Sequence, residues 1–386
     1  MNLRNIKTVT ERRKTLERQL GVKLPNIGQF SLDESVASTR NCENMIGVAQ
    51  VPVGVAGPLV IKRQASSVKR EEYYLPLATT EGALVASVSR GCKAITESGG
   101  ASVNSHRVGA TRGPVFRIEN LIELQKFSTF LESHFETLKS IAEKTSHYLT
   151  LENFSTAQVG KYYYIRFVFD TQDAMGMNMV TIATQQLAAY LEQKLGVRCI
   201  SVSGNFCTDK KVSWQNVVNN RGMKVWAEAT ISQEVLQTIL KTNAQAVYEV
   251  WLAKCMIGSA ISGTVGTNAQ AANVIAAMFL ATGQDLGHIG EGSVAFTTTE
   301  VTEDNLYISV YLPDLMVGTV GGGTGLATQR EALELLGVFG GKEGKNSQAL
   351  AEIIGATVLA GELSLLASLA EGTLSQAHQK LGRGKG

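Results

Sequence analysis

Residues 161–196 read KYYYIRFVFDTQDAMGMNMVTIATQQLAAYLEQKLG. The opening ten residues are rich in aromatic and β-branched side chains, the composition of a strand. From Met177 onward apolar residues recur at helical spacing, and Gly196 supplies a stop. The same strand-and-helix unit recurs nearby. PVFRIE (114–119) reads as a strand and LIELQKFSTFLESHFETLKSIAEK (121–144) as a helix. YLTLENFST (148–156) is a second strand and VRCISVSG (197–204) a closing one. The order βαββαβ over residues 114–202 is that of a ferredoxin-like domain. The ends of such a unit lie close together, so it can be an insert in a larger domain.

Outward from this unit, residues 1–41 form a polar helical segment interrupted at Pro25 and Gly28. NCENMIGVAQVPVGVAGPLVI (41–61) alternates valines with Pro and Gly, which suggests short strands and turns. In LATTEGALVASVSRGCKAITESGG (77–100), Thr79 or Thr80 is placed to cap a helix at Glu81, and Ser98–Gly100 to end it. Its interior has so little bulk that it must approach another backbone or a ligand closely. Beyond Gly204 the chain reads as mostly helical, with strands in SVAFTTTEV (293–301) and NLYISVYLPDLMVGTV (305–320). The apolar run IIGATVLAGELSLLASLAEG (353–372) is interrupted by Glu362, which favours a packed internal helix over a membrane span. The expected fold is α+β. A large α/β domain (42–113 and 203–386) surrounds a long central helix and carries the inserted ferredoxin-like domain (114–202). A helical segment (1–41) precedes it, and a flap of about residues 373–386 ends it.

Net charge is +2, so neither nucleic acid nor an anionic membrane is the expected partner. The aromatic strand KYYYIRFVFD raises the thought of an RNA-binding sheet, but it carries few basic residues. The five cysteines have no CxxC pair, which suits a reduced, cytoplasmic protein, and no zinc spacing is present. The first twenty residues alternate charges and are no signal peptide.

Several polar residues invite functional readings. SGNFCTDKK (203–211) places Asp209, Lys210 and Lys211 directly after a strand, either as a solvated cluster or as a carboxylate or oxyanion site. Asp285 of ATGQD follows an apolar helix, where an acid opposes the helix dipole and needs water or a cation. The glycines of GTVGGGTG (318–325) allow close backbone approach. GEGSVA (290–295) matches GxGxxA, but a β-branched run follows it, so the dinucleotide-binding context is missing.

Taken together, ENMIG (43–47), PVGVAGPL (52–59), ATTEGALVASVSRGCKAI (78–95), TRGPV (111–115), DAMGMNM (173–179), SGNFCTDKK, AQAANVIAAMFLATGQD (269–285), GTVGGGTGL (318–326) and LAGELSLLASLAEG (359–372) resemble the catalytic region of the 3-hydroxy-3-methylglutaryl-CoA (HMG-CoA) reductases. The order holds from about residue 42 to the end, and the wording is similar to the class I branch without its membrane anchor. The resemblance implies reduction of HMG-CoA to mevalonate and CoA with NADPH, NADH being possible, and no metal. An NAD-dependent enzyme oxidising mevalonate is the related alternative.

The resemblance also implies roles. Glu81, Lys210, Asp285 and His378 are the catalytic set: Lys210 for the oxyanion, Asp285 to keep it charged, His378 for the CoA thiolate. Glu81 is the proton donor of the aldehyde step, expected buried beside Asp285. Substrate contacts fall to Arg112, Ser203, Asp209, Lys211, Lys254, Asn273 and Leu365, with Ser87 and Arg90 facing CoA. The cofactor falls to Ser146, Asp173, Met175, Gly176, Met177, Asn178, Val320, Gly321 and Arg383. The resemblance implies a homo-oligomer whose active sites lie at a dimer interface marked by ENMIG. Three positions depart from the family pattern. Ser146 and His147 stand where a Ser-Arg pair contacts the NADP phosphates, and Gln270 where a histidine is common. Gly384 stands where animal enzymes carry a phosphorylated serine, so that control is expected to be absent.

Overall fold

The computed structural model describes residues 6–63 and 71–372. His378, Arg383 and the expected flap lie outside the described residues. The strands are β1 (Val53–Arg63), β2 (Glu71–Ala78), β3 (Ala101–Arg112), β4 (Val115–Arg117), β5 (Thr150–Val159), β6 (Tyr162–Asp170), β7 (Arg198–Ser201), β8 (Arg221–Ile231), β9 (Phe296–Thr302) and β10 (Asn305–Leu315).

The βαββαβ reading corresponds to four strands paired in the order β7-β4-β6-β5, all antiparallel, which is the ferredoxin-like order. Phe116, Ile165, Phe167 and Phe169 point into a core shared with the Met177–Leu195 helix. One expectation is corrected here. Residues 121–144 form two helices, Leu121–Ser133 and Phe135–Glu143. His134 breaks them, with its ring stacked on Phe130 at 3.9 Å between centroids.

β3 joins this sheet to the larger one. Its end pairs with β6 at Ala110–Arg112, while its body pairs with β8, and the register shifts between them beside Gly109. A side chain at 109 would strike the Phe169 carbonyl, and φ there is +113°, so glycine is required on both counts. The large sheet continues β3-β8-β10-β9, with β1 and β2 at the other edge of β3.

β8 corrects the mostly helical reading after Gly204. Met223, Val225, Ala227, Ala229 and Ile231 alternate inward along it, a period of two. They pack on the helix Lys345–Glu371, which also contacts β3, β10 and the Leu84–Glu97 helix. This helix is long and apolar enough to cross a membrane, yet 78% of its apolar window is buried inside the protein. The small-residue helix Leu84–Glu97 fits the expected close approach. A Cβ on Gly91 would stand 1.9 Å from the Ala360 carbonyl oxygen, so backbone meets backbone.

Candidate active site

Residues 205–211 form a tight series of turns after β7. Asn205, Thr208 and Lys210 all have positive φ (64°, 59° and 58°). Such geometry costs a non-glycine residue energy and is tolerated where surrounding contacts fix it. Here Thr208 is held by its hydrogen bonds to the Cys207 carbonyl and to Asn216. The turn presents Asp209 and Lys210 to a cleft of about 710 Å³.

Across the cleft, the Ala271–Thr282 helix ends at Gly283, and Asp285 begins the next turn, where its carboxylate accepts the Gly287 N–H at 2.9 Å. Asp285 therefore sits at a helical N-terminus rather than opposing the dipole behind it. Its other oxygen is 2.7 Å from Lys210 Nζ. Burial raises the Asp285 acid, but the Lys210 hydrogen bond, the Gly287 N–H and the charge of His288 outweigh it and hold the carboxyl below its ordinary range. The lysine stem lies over Gly287. A Cβ there would be 2.8 Å from Lys210 Cδ and 3.0 Å from Nζ.

Arg112 lies at the end of β3, where three acceptors orient its guanidinium. Nη1 is 3.2 Å from Ser203 Oγ and 3.3 Å from Asp209 Oδ2, and Nη2 donates to Thr181 Oγ1 at 2.6 Å. Lys211 folds back on the Asp209 carbonyl at 3.2 Å. The cleft wall continues through Met175, Gly176, Met177 and Asn178 and then Val320 and Gly321. Gly176 caps the Met177–Leu195 helix without any side-chain hydrogen bond, so its first N–H groups face the cleft unengaged by a cap. A backbone bridge from Ala174 to Val320 aligns the two segments. Gly283 and Gly323 meet backbone to backbone, as the glycine cluster suggested.

The other half of the predicted set stands elsewhere. Glu81 is exposed, not buried beside Asp285, and its Oε1 is 3.5 Å from Asn273 Nδ2. Nor does it begin a helix. Thr79 Oγ1 accepts the Glu81 N–H, and the helix starts only at Leu84, after Ala83 in a left-handed conformation. Asn273 belongs to the first turn of the Ala271–Thr282 helix and Asp285 follows its last. The ten helical residues from Asn273 to Thr282 span about 14 Å. Within one chain, Glu81 and Asn273 are therefore a helix length from Lys210 and Asp285.

Lys254, on an exposed π-helical turn (Leu252–Gly258), lies near the buried Glu362 and opposes the upward push of burial on that acid. Glu362 accepts the Ala269 and Gln270 N–H groups at 2.7 and 2.6 Å, at the start of the same helix. Ser87 and Arg90 are bound to the central helix, through Ser364 and, for Arg90, Ser368. Leu365 is half-buried on that helix.

Two predicted cofactor residues are placed differently from expectation. Ser146 Oγ accepts the Tyr148 N–H at 3.2 Å and lies 3.6 Å from Sδ of Met179, so it stands behind that residue of the cleft wall. Asp173 is 3% exposed, and its carboxylate accepts the backbone N–H groups of Lys342, Gly344 and Ser347. It caps the central helix. Burial raises this acid, but those three donors and the Arg107 charge hold it low. ENMIG packs within the chain: Met45 is buried with Val9 and Ala37 of the N-terminal helices.

Behind the cleft lies a charged cluster that the motifs did not reveal. Arg221 is fully buried at the start of β8. It donates to Asp209 Oδ1 at 2.9 Å, to Thr111 Oγ1 at 2.8 Å, and to the buried Glu291. His288 Nδ1 also meets Glu291. Asp314, buried with neither oxygen hydrogen-bonded among the described residues, is pushed well up by burial and then by the charge of Glu291. Arg166 is lowered to about 10 by burial and the Arg221 charge. The period-two alternation of RGMKVWAEATI (221–231) could have placed Arg221 on an inward face; its partners come from distant segments and carry no local signal.

The hydroxymethylglutaryl-coenzyme A reductase family model matches residues 8–383. A 3-hydroxy-3-methylglutaryl-coenzyme A reductase of Methanocaldococcus jannaschii is 48% identical over 384 residues, covering 98% of this chain and 93% of its own. That of Methanothermobacter thermautotrophicus is 48% identical, covering 97% and 93%. Among solved structures, the class II reductase of Streptococcus pneumoniae bound to NADPH in open conformations superposes with a TM-score of 0.69 at 19% identity, over 94% of this chain and 97% of that one, a likeness of fold alone. With a family match across nearly the whole chain and relatives close to half identical, the chain belongs to the hydroxymethylglutaryl-coenzyme A reductase family of oxidoreductases.

Proposed function

We propose that this family member reduces HMG-CoA to mevalonate and CoA with two NADPH, in active sites completed across a homodimer. The observation that carries the second clause is the split described above. Lys210, Asp285, Asp209 and Arg112 gather at one end of the Ala271–Thr282 helix. Glu81 and Asn273 pair at the other, near Lys254 and the Ser87–Arg90 face. A two-fold axis brings one end from each copy together, because an isologous interface repeats every contact in both directions. The domains follow the same reading: residues 114–202 form the cofactor domain, and 42–113 with 203–386 the substrate domain.

A nicotinamide cofactor supplies hydride. The segment Met175–Asn178, the open N-terminus of the Met177–Leu195 helix and Gly321 fit its anionic and flat parts. Gly321 has φ +77°, and none of the described residues comes within 4 Å of a would-be Cβ there. Hydride attack leaves negative charge on the former carbonyl oxygen, and Lys210, fixed by Asp285, is the cation placed for it. Arg112, turned toward the cleft by Ser203 and Asp209, suits the substrate carboxylate. Glu81 of the partner subunit gives the proton in the aldehyde step. His378 protonates the departing thiolate, downhill by about 2 pH units for ordinary imidazole and thiol groups. Nothing in this scheme requires a membrane or a nucleic acid, and the reading is of a cytoplasmic enzyme.

Adding HMG-CoA to protein and NADPH is expected to consume NADPH and release free thiol in a two-to-one ratio. Folded, dimeric protein that is inert with both NADPH and NADH would defeat the proposal. Initial rates with each cofactor, forward and from mevalonate, separate the biosynthetic reading from NAD-dependent oxidation.

A further inference from the structure

His288 is fully buried and lies at the junction between the cleft and the charged cluster behind it. Nδ1 is engaged by Glu291, with Arg221 Nη1 at 3.5 Å. Nε2 has no hydrogen-bond partner among the described residues. It points between the two cleft carboxylates, 3.6 Å from Asp285 Oδ2 and 3.7 Å from Asp209 Oδ1. A bare nitrogen lone pair so placed would be repelled by both oxygens, whereas an N–H is attracted by both. Nδ1 faces the Glu291 carboxylate in the same way, so the network places an N–H on Nε2 as well as on Nδ1. The two carboxylates it addresses each hold a cation of the cleft: Asp285 holds Lys210, and Asp209 holds Arg112.

We propose that His288 is a positioning residue for the reduction, whose Nε2–H closes onto Asp285 or Asp209 when the cleft fills and thereby sets where Lys210 and Arg112 stand. The proposal rests on the reading of Lys210 and Asp285 as the reacting pair. A distance of 3.6–3.7 Å is too long for a hydrogen bond and short enough that a shift of under an ångström makes one. An unspent buried donor at this place is costly unless something takes it up. Asp285 caps the short turn Leu286–His288 that carries His288 itself, so the two side chains are positioned by one turn.

Two amide substitutions separate this role from a structural one. Gln at 288 places its amide nitrogen about where Nε2 stands, so H288Q keeps the donor toward the cleft. Asn places its amide about where Nδ1 stands, so H288N keeps the bond to Glu291 and loses the donor. The expected result is that H288N loses about tenfold or more in kcat, as for a hydrogen bond to a charged group, while H288Q stays within about threefold of wild type. The two variants need not differ in the sense that stability would dictate, and their thermal midpoints are read alongside. Equal rates in both, or a faster H288N, would overturn the proposal.

A second readout does not depend on turnover. In histidine-labelled wild-type protein the His288 ring is expected to show a proton bonded to Nε2, assigned by its loss in either variant or, if both fail to fold, by elimination with variants at the other four histidines. A bare Nε2 would overturn the proposal whatever the kinetics. Wild-type protein without reductase activity would instead contradict the functional reading and leave the ring proton to decide the assignment of Nε2.

Discussion

Replacing Asp285 by Asn tests the chemistry most narrowly. Asn is isosteric and its Oδ1 can still accept the Gly287 N–H, now at 2.9 Å, so the turn is kept. What is lost is the charge 2.7 Å from Lys210 Nζ. Two unit charges at that distance attract by about 1.5 kcal/mol in water and about 6 kcal/mol at the intermediate screening found near protein surfaces. The two side chains are 43% and 36% exposed, which places the pair toward the watery end. That attraction is what holds Lys210 in place, and a loosened oxyanion cation is expected to cost roughly 2–3 kcal/mol, or about 30- to 150-fold in kcat. Because the oxyanion exists only after hydride attack, KM for HMG-CoA is expected to move little. Steady-state NADPH oxidation across HMG-CoA concentrations measures both constants. A kcat within threefold of wild type, or a raised KM at unchanged kcat, would refute the assignment of Lys210 and Asp285 to charge stabilisation.

Three further outcomes are expected. Gly287→Ala puts a methyl 2.8 Å from Lys210 Cδ and 3.0 Å from Nζ; only the flexible end of the lysine must shift, so thermal stability changes little while kcat falls by about tenfold or more. Asp173→Ala removes the acceptor of three backbone N–H groups and costs about 2–3 kcal/mol of stability at pH 7, read by denaturant unfolding, with the NADPH KM of the folded variant near wild type. Since the folded Asp173 carboxyl is held low, its contribution is present above the unfolded value of about 3.9 and is lost as pH falls through the folded one, so the variant and wild type converge in acid. His378→Ala is expected to abolish thioester reduction yet retain much of the reduction of free mevaldehyde; equal loss of both would make His378 structural.

Periodicity made the βαββαβ unit legible because each of its elements carries its own signal: aromatic strands, a 3.6-residue helical pattern and a closing glycine. His134 escaped because a helix broken by one residue keeps nearly the same apolar phase on both sides. β8 was obscured among helices although Met223, Val225, Ala227, Ala229 and Ile231 alternate, and with it went Arg221. Lys210 and Asp285 each stood out by chemistry, but only the family motifs joined them, since 75 residues separate them and spacing says nothing of their 2.7 Å approach. Glu291 lay in plain view inside GEGSVA, a stretch weighed for its glycines, while its buried carboxylate meets Arg221 and His288. Asp173 shows the converse: a family motif marked it for the cofactor, and burial gave its carboxylate to the start of the central helix. Nor does a chain read alone show how far Glu81 stands from Asp285, because the helix between them is an obstacle only in three dimensions.

Mixing two inactive variants tests the shared site directly. Lys210→Ala and Glu81→Ala disable opposite halves, each in the subunit that carries it. If the halves come from different copies, random re-pairing makes half the dimers mixed, each with one doubly damaged and one intact site, and about a quarter of wild-type activity returns. If all four catalytic groups act within one chain, every site in every dimer keeps a lesion, and the mixture stays as inactive as its parents.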